Sequence, residues 1–285
     1  MEHHIEATIR SVVGQQYPNL EYIVIDGAST DRTPAILKKY ANCIDVLVSE
    51  PDDGQYHAIQ KGMGHATGDI MAWLNADDIY MPWTLSIVSE VFEKFPDVDW
   101  IIGLPSFLNE KGQCVSIHSN VAAYPQHYIR NGWYRGHLAG YLQQESMFWR
   151  RSLWEKAGGL DLSLDMASDF KLWSVFAQHS ELVPISVPLA AFRRRPGEQK
   201  SSANREAYDQ EVMNICSELP TPPALWDKVA RQGVAARSFC RSLIWKQTRV
   251  IAYSEVAHEW KKIPLVRPVS RVSFGHLLLE QVIRR

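Results

Sequence analysis

Met71-Ala72-Trp73-Leu74-Asn75-Ala76-Asp77-Asp78 is an apolar run that ends abruptly in an amide and two acids. Together with Ile70, the large apolar residues crowd into a stretch too short for a helix and suited to a buried strand. Two neighbouring carboxylates repel each other and must leave the core where the strand stops. A divalent cation between them and an anionic ligand would accommodate the pair, because hard ions take oxygen ligands. A solvated turn would do so equally, since Asn and Asp are common turn formers. Open α/β sheets hold ligands just beyond the carboxyl ends of their strands, where this pair falls. The motif alone leaves both settings open.

Upstream, Ile5, Ile9, Val12 and Val13 recur at helical spacing, and Tyr17-Pro18-Asn19 breaks that helix. Leu20 to Ile25 reads as a strand running into the turn Asp26-Gly27-Ala28-Ser29-Thr30-Asp31, with a helix from Thr33 to Tyr40. A second strand, Ile44 to Val48, leads through Pro51-Asp52-Asp53-Gly54 to a helix from Gln55 to about Ala66, and then to the opening strand. Downstream, Pro82 to Phe95 reads as a helix, Asp99 to Leu104 as a strand, Trp149 to Ala157 and Ala167 to His179 as helices, and Pro184 to Phe192 as extended. Alternation at this spacing predicts an α/β fold with a mostly parallel, doubly wound sheet flanked by helices. From Arg205 onward a helical extension is expected, so that residues 1–204 form one domain and 205–285 an appendage.

Composition narrows the class. A hydrophobic content of 46% with 22% charged residues describes a globular chain with a substantial core. Charge is unevenly placed: residues 226–285 hold 12 Lys/Arg against 4 Asp/Glu, whereas the first 225 hold 18 against 28. The basic tail is therefore expected either to meet an anionic surface or to be a solvated helical face. Cys43, Cys114, Cys216 and Cys240 form no CxxC pair, which points away from a zinc site or disulfide framework and toward a reducing compartment. No stretch approaches the roughly 20 apolar residues of a membrane span, and no signal peptide is visible.

Several separated pieces together resemble family 2 glycosyltransferases of GT-A fold. Ile25-Asp26-Gly27-Ala28-Ser29-Thr30-Asp31 looks like the family's strand-end acid and turn. Ser49-Glu50-Pro51-Asp52-Asp53-Gly54 and Ala66-Thr67-Gly68-Asp69 resemble its next segments, and Leu74-Asn75-Ala76-Asp77-Asp78 its Asp-x-Asp signature. Gln143 to Arg151 and Ala167 to Trp173 resemble its acceptor-side segments. The likeness covers residues 5–202 and rests on six pieces in the right order, none specific by itself. It divides the domain into a nucleotide-sugar half, 1–110, and an acceptor half, 111–204.

The resemblance implies an inverting, metal-dependent hexosyltransferase-like enzyme moving a sugar from a nucleotide diphosphate sugar to a saccharide or lipid-linked acceptor, in bacterial surface polysaccharide synthesis. Asp77 is then the ligand of a Mn2+ or Mg2+ ion, which neutralises the leaving diphosphate as a Lewis acid. Asp26 and Asp52 line the nucleotide pocket, with Asn75 and Asp78 close by. Asp169 matches the general base that takes the acceptor hydroxyl's proton, and Gln144 and Glu145 position the acceptor. Structural alternatives stand beside these roles: a turn acid for Asp26 and Asp52, an N-cap for Asp169, and packing for Gln144 and Glu145. A cytoplasmic location is expected, peripheral at the inner membrane face through the basic tail, with no nucleic-acid partner.

The chain also departs from the family. Lys171 stands where many relatives carry a second acid, and Phe192-Arg193-Arg194-Arg195 replaces a Phe-Arg-x-His run. Arg195, Arg194 or Lys200 is expected on the diphosphate instead, since guanidinium groups match phosphate oxygens; His57 receives no role. Family members usually begin with an apolar central strand, whereas this chain opens at the helix that follows it, so the expectation is a sheet lacking its first strand and a Met1 that is an internal start. In the tail, Trp226, Val229, Phe239, Leu243, Trp245 and Val250, with Arg237, Arg241 and Arg249, suggest a helix resting on the domain or on a membrane. Two other readings compete: an inactive sugar-nucleotide-binding or scaffolding protein, and a nucleotidyltransferase, the latter disfavoured by the lack of a Gly-rich phosphate loop.

Overall fold

Period-3.6 burial explains the helices that frame the site. In the computed structural model, which describes residues 1–118, 121–135, 140–195, 197, 204–219 and 249–264, helix α1 (Ile5–Val13) buries Ile5, Thr8, Ile9 and Val12 along one stripe. Helix α2 (Thr33–Lys39) carries Pro near its start, where a missing N–H costs nothing. Helices α3 (Gln55–His65) and α4 (Thr84–Lys94) follow, the latter burying Thr84, Val88, Val91 and Phe92. After the short α5 (Gln126–Arg130), helix α6 (Arg151–Ala157) is stopped by Gly158, whose φ of 80° suits a left-handed cap. Helix α7 (Ser168–His179) is buried nearly all round, and α8 (Arg205–Glu218) packs Val212, Ile215 and Cys216 against Ala167, just before α7, and Phe170 in its first turn.

The strands form mixed sheets rather than the mostly parallel one expected. Strands β1 (Ile23–Asp26) and β2 (Val46–Ser49) pair in parallel, Ile23 opposite Val46. A four-stranded sheet has the order β3 (Ile70–Met71), β8 (Met147–Arg150), β5 (Trp100–Ile102), β9 (Leu182–Pro184), with β8 antiparallel to both neighbours and β9 parallel to β5. Another has the order β4 (Ile79–Tyr80), β10 (Ala190–Arg193), β6 (Ser106–Leu108), β7 (Cys114–Ile117). The antiparallel members come from segments whose pattern does not announce a strand: Met147-Phe148-Trp149-Arg150 is apolar on both faces because both faces are covered, and it runs straight into α6. Strands from residues 1–110 and 111–204 share these sheets, so the two halves interlock.

Between the outer edge of β3 and the free edge of β1 no strand lies among the described residues. A cavity of about 1710 Å³ occupies that place and continues into the cleft above it. The opposite flank is a dense aromatic core in which Trp149 meets Trp73, Trp154, Trp173 and Phe176 at centroid distances of 5.3–6.2 Å.

The expected helical tail is corrected in part. Residues 205–218 are helical, but β11 (Arg249–Ser254) and β12 (Glu259–Pro264) form an antiparallel hairpin, Tyr253 opposite Trp260. Val250, Ile251, Tyr253, Trp260 and Ile263 suit a pleated, half-buried surface better than a helix. Ile251 bridges Ile185, Trp260 joins the core, and Lys262 Nζ reaches Asp97 at 2.7 Å, so these residues rest on the domain. Trp226, Val229, Arg237, Phe239, Arg241, Leu243, Trp245 and Lys200 lie outside the described residues. Among the described residues no helix is long and apolar enough to cross a membrane.

Candidate active site

The acid pair sits on a tight turn after β3, in which the Asp78 N–H donates to the Asn75 carbonyl at 3.1 Å. Helix α1 latches that turn: Thr8 Oγ1 lies 2.7 Å from the Asp78 carbonyl and 3.0 Å from that of Ala76. Adjacent side chains consequently point opposite ways. Asp77 lines the cleft, and its Oδ2 accepts from Arg195 Nη2 at 2.6 Å and Nε at 2.9 Å. Asp78 points inward, 1% exposed, with Oδ1 accepting the Arg193 N–H at 2.8 Å. Asp78 thereby fastens the turn to β10 from behind.

Arg193, which sequence reasoning passed over, completes that fastening by donating from Nε to the Asp77 carbonyl at 2.7 Å while 3% exposed. The triple arginine was the visible signal, but nothing in it distinguished the buried member. Arg194 stacks over Phe107 at 3.8 Å. Asn75 is held by Gln55, whose Nε2 donates to Oδ1 at 2.7 Å.

Gln144 and Glu145 stand on a 3-10 turn (Gln144–Ser146) leading into β8. Gln144 donates from Nε2 to the Trp73 carbonyl at 2.6 Å and accepts from Asn75 Nδ2 at 3.4 Å, which ties the cleft wall to the end of β3. Glu145 is 2% exposed, and its Oε1 is buried without a hydrogen-bond partner. Burial first, then the Asp78 charge, pushes its carboxyl well above the usual range. The same burial, together with the Asp77 charge, raises Asp78.

Asp169 lines the same cavity on the second residue of α7. Its Oδ1 accepts from the Tyr56 hydroxyl at 2.9 Å and from the Phe170 N–H at 2.8 Å. Burial pushes its pKa above the usual Asp range, and these two bonds partly offset that rise. Tyr56 also lies 2.8 Å from the Met166 carbonyl, an arrangement carried by α3 that sequence alone did not reveal. Lys171, by contrast, turns away to an ion pair with Asp161 at 2.7 Å.

Asp26, 6% exposed at the end of β1, accepts from the Ser49 hydroxyl at 2.6 Å and the Ser29 N–H at 3.2 Å. Asp52 lies against Gly27, where an added Cβ would come within 2.5 Å of its Oδ2, so a side chain there would displace the Asp52 carboxylate. Ala28 follows with a φ of 57°, a strained value for a residue bearing a Cβ. The structure thus brings Asp26 and Asp52 together at one turn, and Asp77, Arg195, Gln144, Glu145 and Asp169 around one cavity. Among the described residues no group of three His, Cys, Asp or Glu side chains is placed to hold a metal ion. A divalent ion here would rest on Asp77 Oδ1, which accepts no hydrogen bond from the described residues, and on its ligand's own oxygens. That donor set fits a Mg2+-like ion, which commonly binds through one or two carboxylates plus substrate phosphates.

The α/β fold, with the Asp77–Arg195 pair at a strand end and Asp169 lining the same cavity, is similar to that of GT-A glycosyltransferases. The chain belongs to glycosyl transferase family 2, whose profile matches residues 2–156. It is 39% identical over 75 residues to an uncharacterized glycosyltransferase of Mycobacterium tuberculosis, a match covering 26% of this chain and 29% of the relative. It is 37% identical over 78 residues to a putative teichuronic acid biosynthesis glycosyltransferase, TuaG, of Bacillus subtilis, covering 26% and 31%. These matches span less than a third of the relatives' own length. Among solved structures, S. aureus TarS 1-349 in complex with UDP-GlcNAc is similar over 85% of this chain and 72% of that one, with a TM-score of 0.60 and 19% identity. Mannosyltransferase PcManGT from Pyrobaculum calidifontis, in complex with GDP-Man and Mn2+, is similar over 81% and 61%, with a TM-score of 0.51 and 21% identity. At such identities the structural likeness speaks for the fold alone.

Proposed function

We propose that this chain transfers a sugar, with inversion, from a nucleotide diphosphate sugar to a saccharide or lipid-linked acceptor in surface polysaccharide synthesis. The observation that carries this reading is the sharing of one cavity by the Asp77–Arg195 pair and by Asp169. Arg195 offers a planar, permanently charged fork to diphosphate oxygens. Asp77 would hold a Mn2+ or Mg2+ ion, which supplies Lewis-acid neutralisation of the leaving diphosphate. Asp26 and Asp52, on the turn beside the cleft, would read the base.

Asp169 then takes the acceptor hydroxyl's proton as that oxygen attacks the anomeric carbon and the carbon–diphosphate bond breaks. Tyr56 and the Phe170 N–H fix the carboxylate's orientation before the acceptor arrives. Gln144 contributes to the wall that positions the acceptor, with Glu145 buried beside it. A second reading, donor binding without transfer, draws on the open slot between β1 and β3, which leaves part of the cleft's floor uncovered.

Release of nucleoside diphosphate from a panel of UDP- and GDP-sugars with manganese separates the two. Turnover by the native chain, cut at least about 100-fold in Asp169→Asn with donor affinity retained, is the expected result. Donor binding with no release in either protein would favour the second reading.

A further inference from the structure

Helix α8 lies beyond the residues that the family profile matches, yet its first turns reach the cavity. Hydrogen bonds as well as apolar packing hold it there. Glu211 accepts three successive main-chain N–H groups, of Asp165 at 3.0 Å and of Met166 and Ala167 at 2.9 Å. One carboxylate thereby satisfies the backbone of the segment leading into α7, which carries Asp169. Tyr208 packs with Ala167 and Phe170, the residues flanking Ser168 and Asp169. Burial first, and then the Asp169 charge, pushes the pKa of the Tyr208 hydroxyl up, so this ring and the acid share one neighbourhood.

The same helix meets Tyr141, three residues before Gln144 of the cleft wall. The Tyr141 and Tyr208 rings stand 6.4 Å apart at 59°, an angled pair rather than a stack. The Arg205 guanidinium lies 5.6 Å from the centre of the first ring and 5.8 Å from that of the second. Asp209 accepts from Arg205 Nε at 2.9 Å, which balances the arginine's charge within α8. Tyr141, Arg205 and Tyr208 line the cavity together with Asp165 and Asp169, and Tyr141 is 47% exposed.

Tyrosine rings on a cavity wall combine an apolar face with a polar tip. A pyranose matches such a surface, because C–H groups make its faces apolar and hydroxyls surround its edge. An acyl chain would cover the Arg205 guanidinium and the tyrosine hydroxyls without offering them a hydrogen bond. An anionic sugar would face Asp165, Asp169 and Asp209, and a cationic one would face Arg205. Resting on the transfer reading above, we propose that Tyr141, Tyr208 and Arg205 form a subsite for an uncharged pyranose ring of the acceptor, beside Asp169. Tyr141 supplies the stacking face, Arg205 donates to ring hydroxyls, and Glu211 holds α8 in register with α7.

Saturation-transfer NMR on the full chain, without any donor, tests this separately from turnover. The probes are the methyl glycosides of glucose, galactose, mannose, N-acetylglucosamine and N-acetylgalactosamine. Methyl glucuronide and methyl glucosaminide are the charged controls. At least one neutral glycoside should bind the native chain, and more tightly than either control. Tyr141→Ala should weaken that binding about fivefold or more, and Tyr141→Phe should retain it, both at an unchanged Tm. Arg205→Gln is a second variant with the same expected loss. Binding of no neutral glycoside, undiminished binding by both Tyr141→Ala and Arg205→Gln, or tighter binding of a charged control would overturn the proposal, whatever the donor assay shows. Glycoside binding with these losses, in a chain that releases no nucleoside diphosphate, would uphold the subsite and remove the transfer reading instead.

Discussion

Asp169 is pulled in opposite directions by its surroundings. Burial disfavours its charge, while the Tyr56 hydroxyl and the Phe170 amide favour it. Its acid form therefore persists above the ordinary Asp range of about 3.9. A base must be ionised to accept a proton, so kcat/KM falls as pH drops through this raised value. Tyr56→Phe removes a bond that holds the value down, so the acid limb of the pH profile moves to higher pH, with kcat lowered about tenfold. An unmoved limb in that variant would remove Tyr56 from the base's support. This residue-scale detail was only partly legible in sequence. The strand-end acids stood out as charges after an apolar run. The facing of Asp77 toward the cleft and Asp78 away from it depends on a turn closed by Asn75 and on Thr8, 70 positions before Asp78. Arg193 and Tyr56 were missed for the same reason: their partners are distant in the chain.

At the scale of elements, β8 joins the site to the core. Gln144 and Glu145 lead into it, and Trp149, fully buried, packs against Trp73 at the end of β3 and Trp173 of α7. Trp149→Ala should lower unfolding free energy by about 3–5 kcal/mol, read by urea denaturation. A loss under about 1 kcal/mol would mean that this aromatic layer is not what seats the strand. Helices α1, α3 and α4 were legible because one polar and one apolar face repeat at 3.6 residues. β8 was not, since a strand covered on both faces shows no alternation, and its end merges with the helix after it. The hairpin of β11 and β12 was hidden by a basic tail whose charge suggested a helical face. In the structure Lys262 instead pairs with Asp97 of the body, and Lys94 with Glu259 of the hairpin.

Across the whole molecule, the sheets converge on one cleft whose walls come from both halves of the chain. β3 and its turn bring Asn75 and Asp77, β10 leads to Arg195, the turn before β8 brings Gln144, and α7 brings Asp169. The open row between β1 and β3 runs into the floor of that cleft, so the continuity of the sheet and the shape of the donor site are linked. Placing the donor's diphosphate at the Asp77–Arg195 pair is the central claim. Calorimetric titration of UDP- and GDP-sugars with manganese into the native chain and Asp77→Ala tests it most directly. At least one donor should bind the native chain, with Kd of order 1 μM to 1 mM, and the variant should bind it at least about tenfold more weakly at an unchanged Tm. Equal affinity in the two proteins would contradict the account.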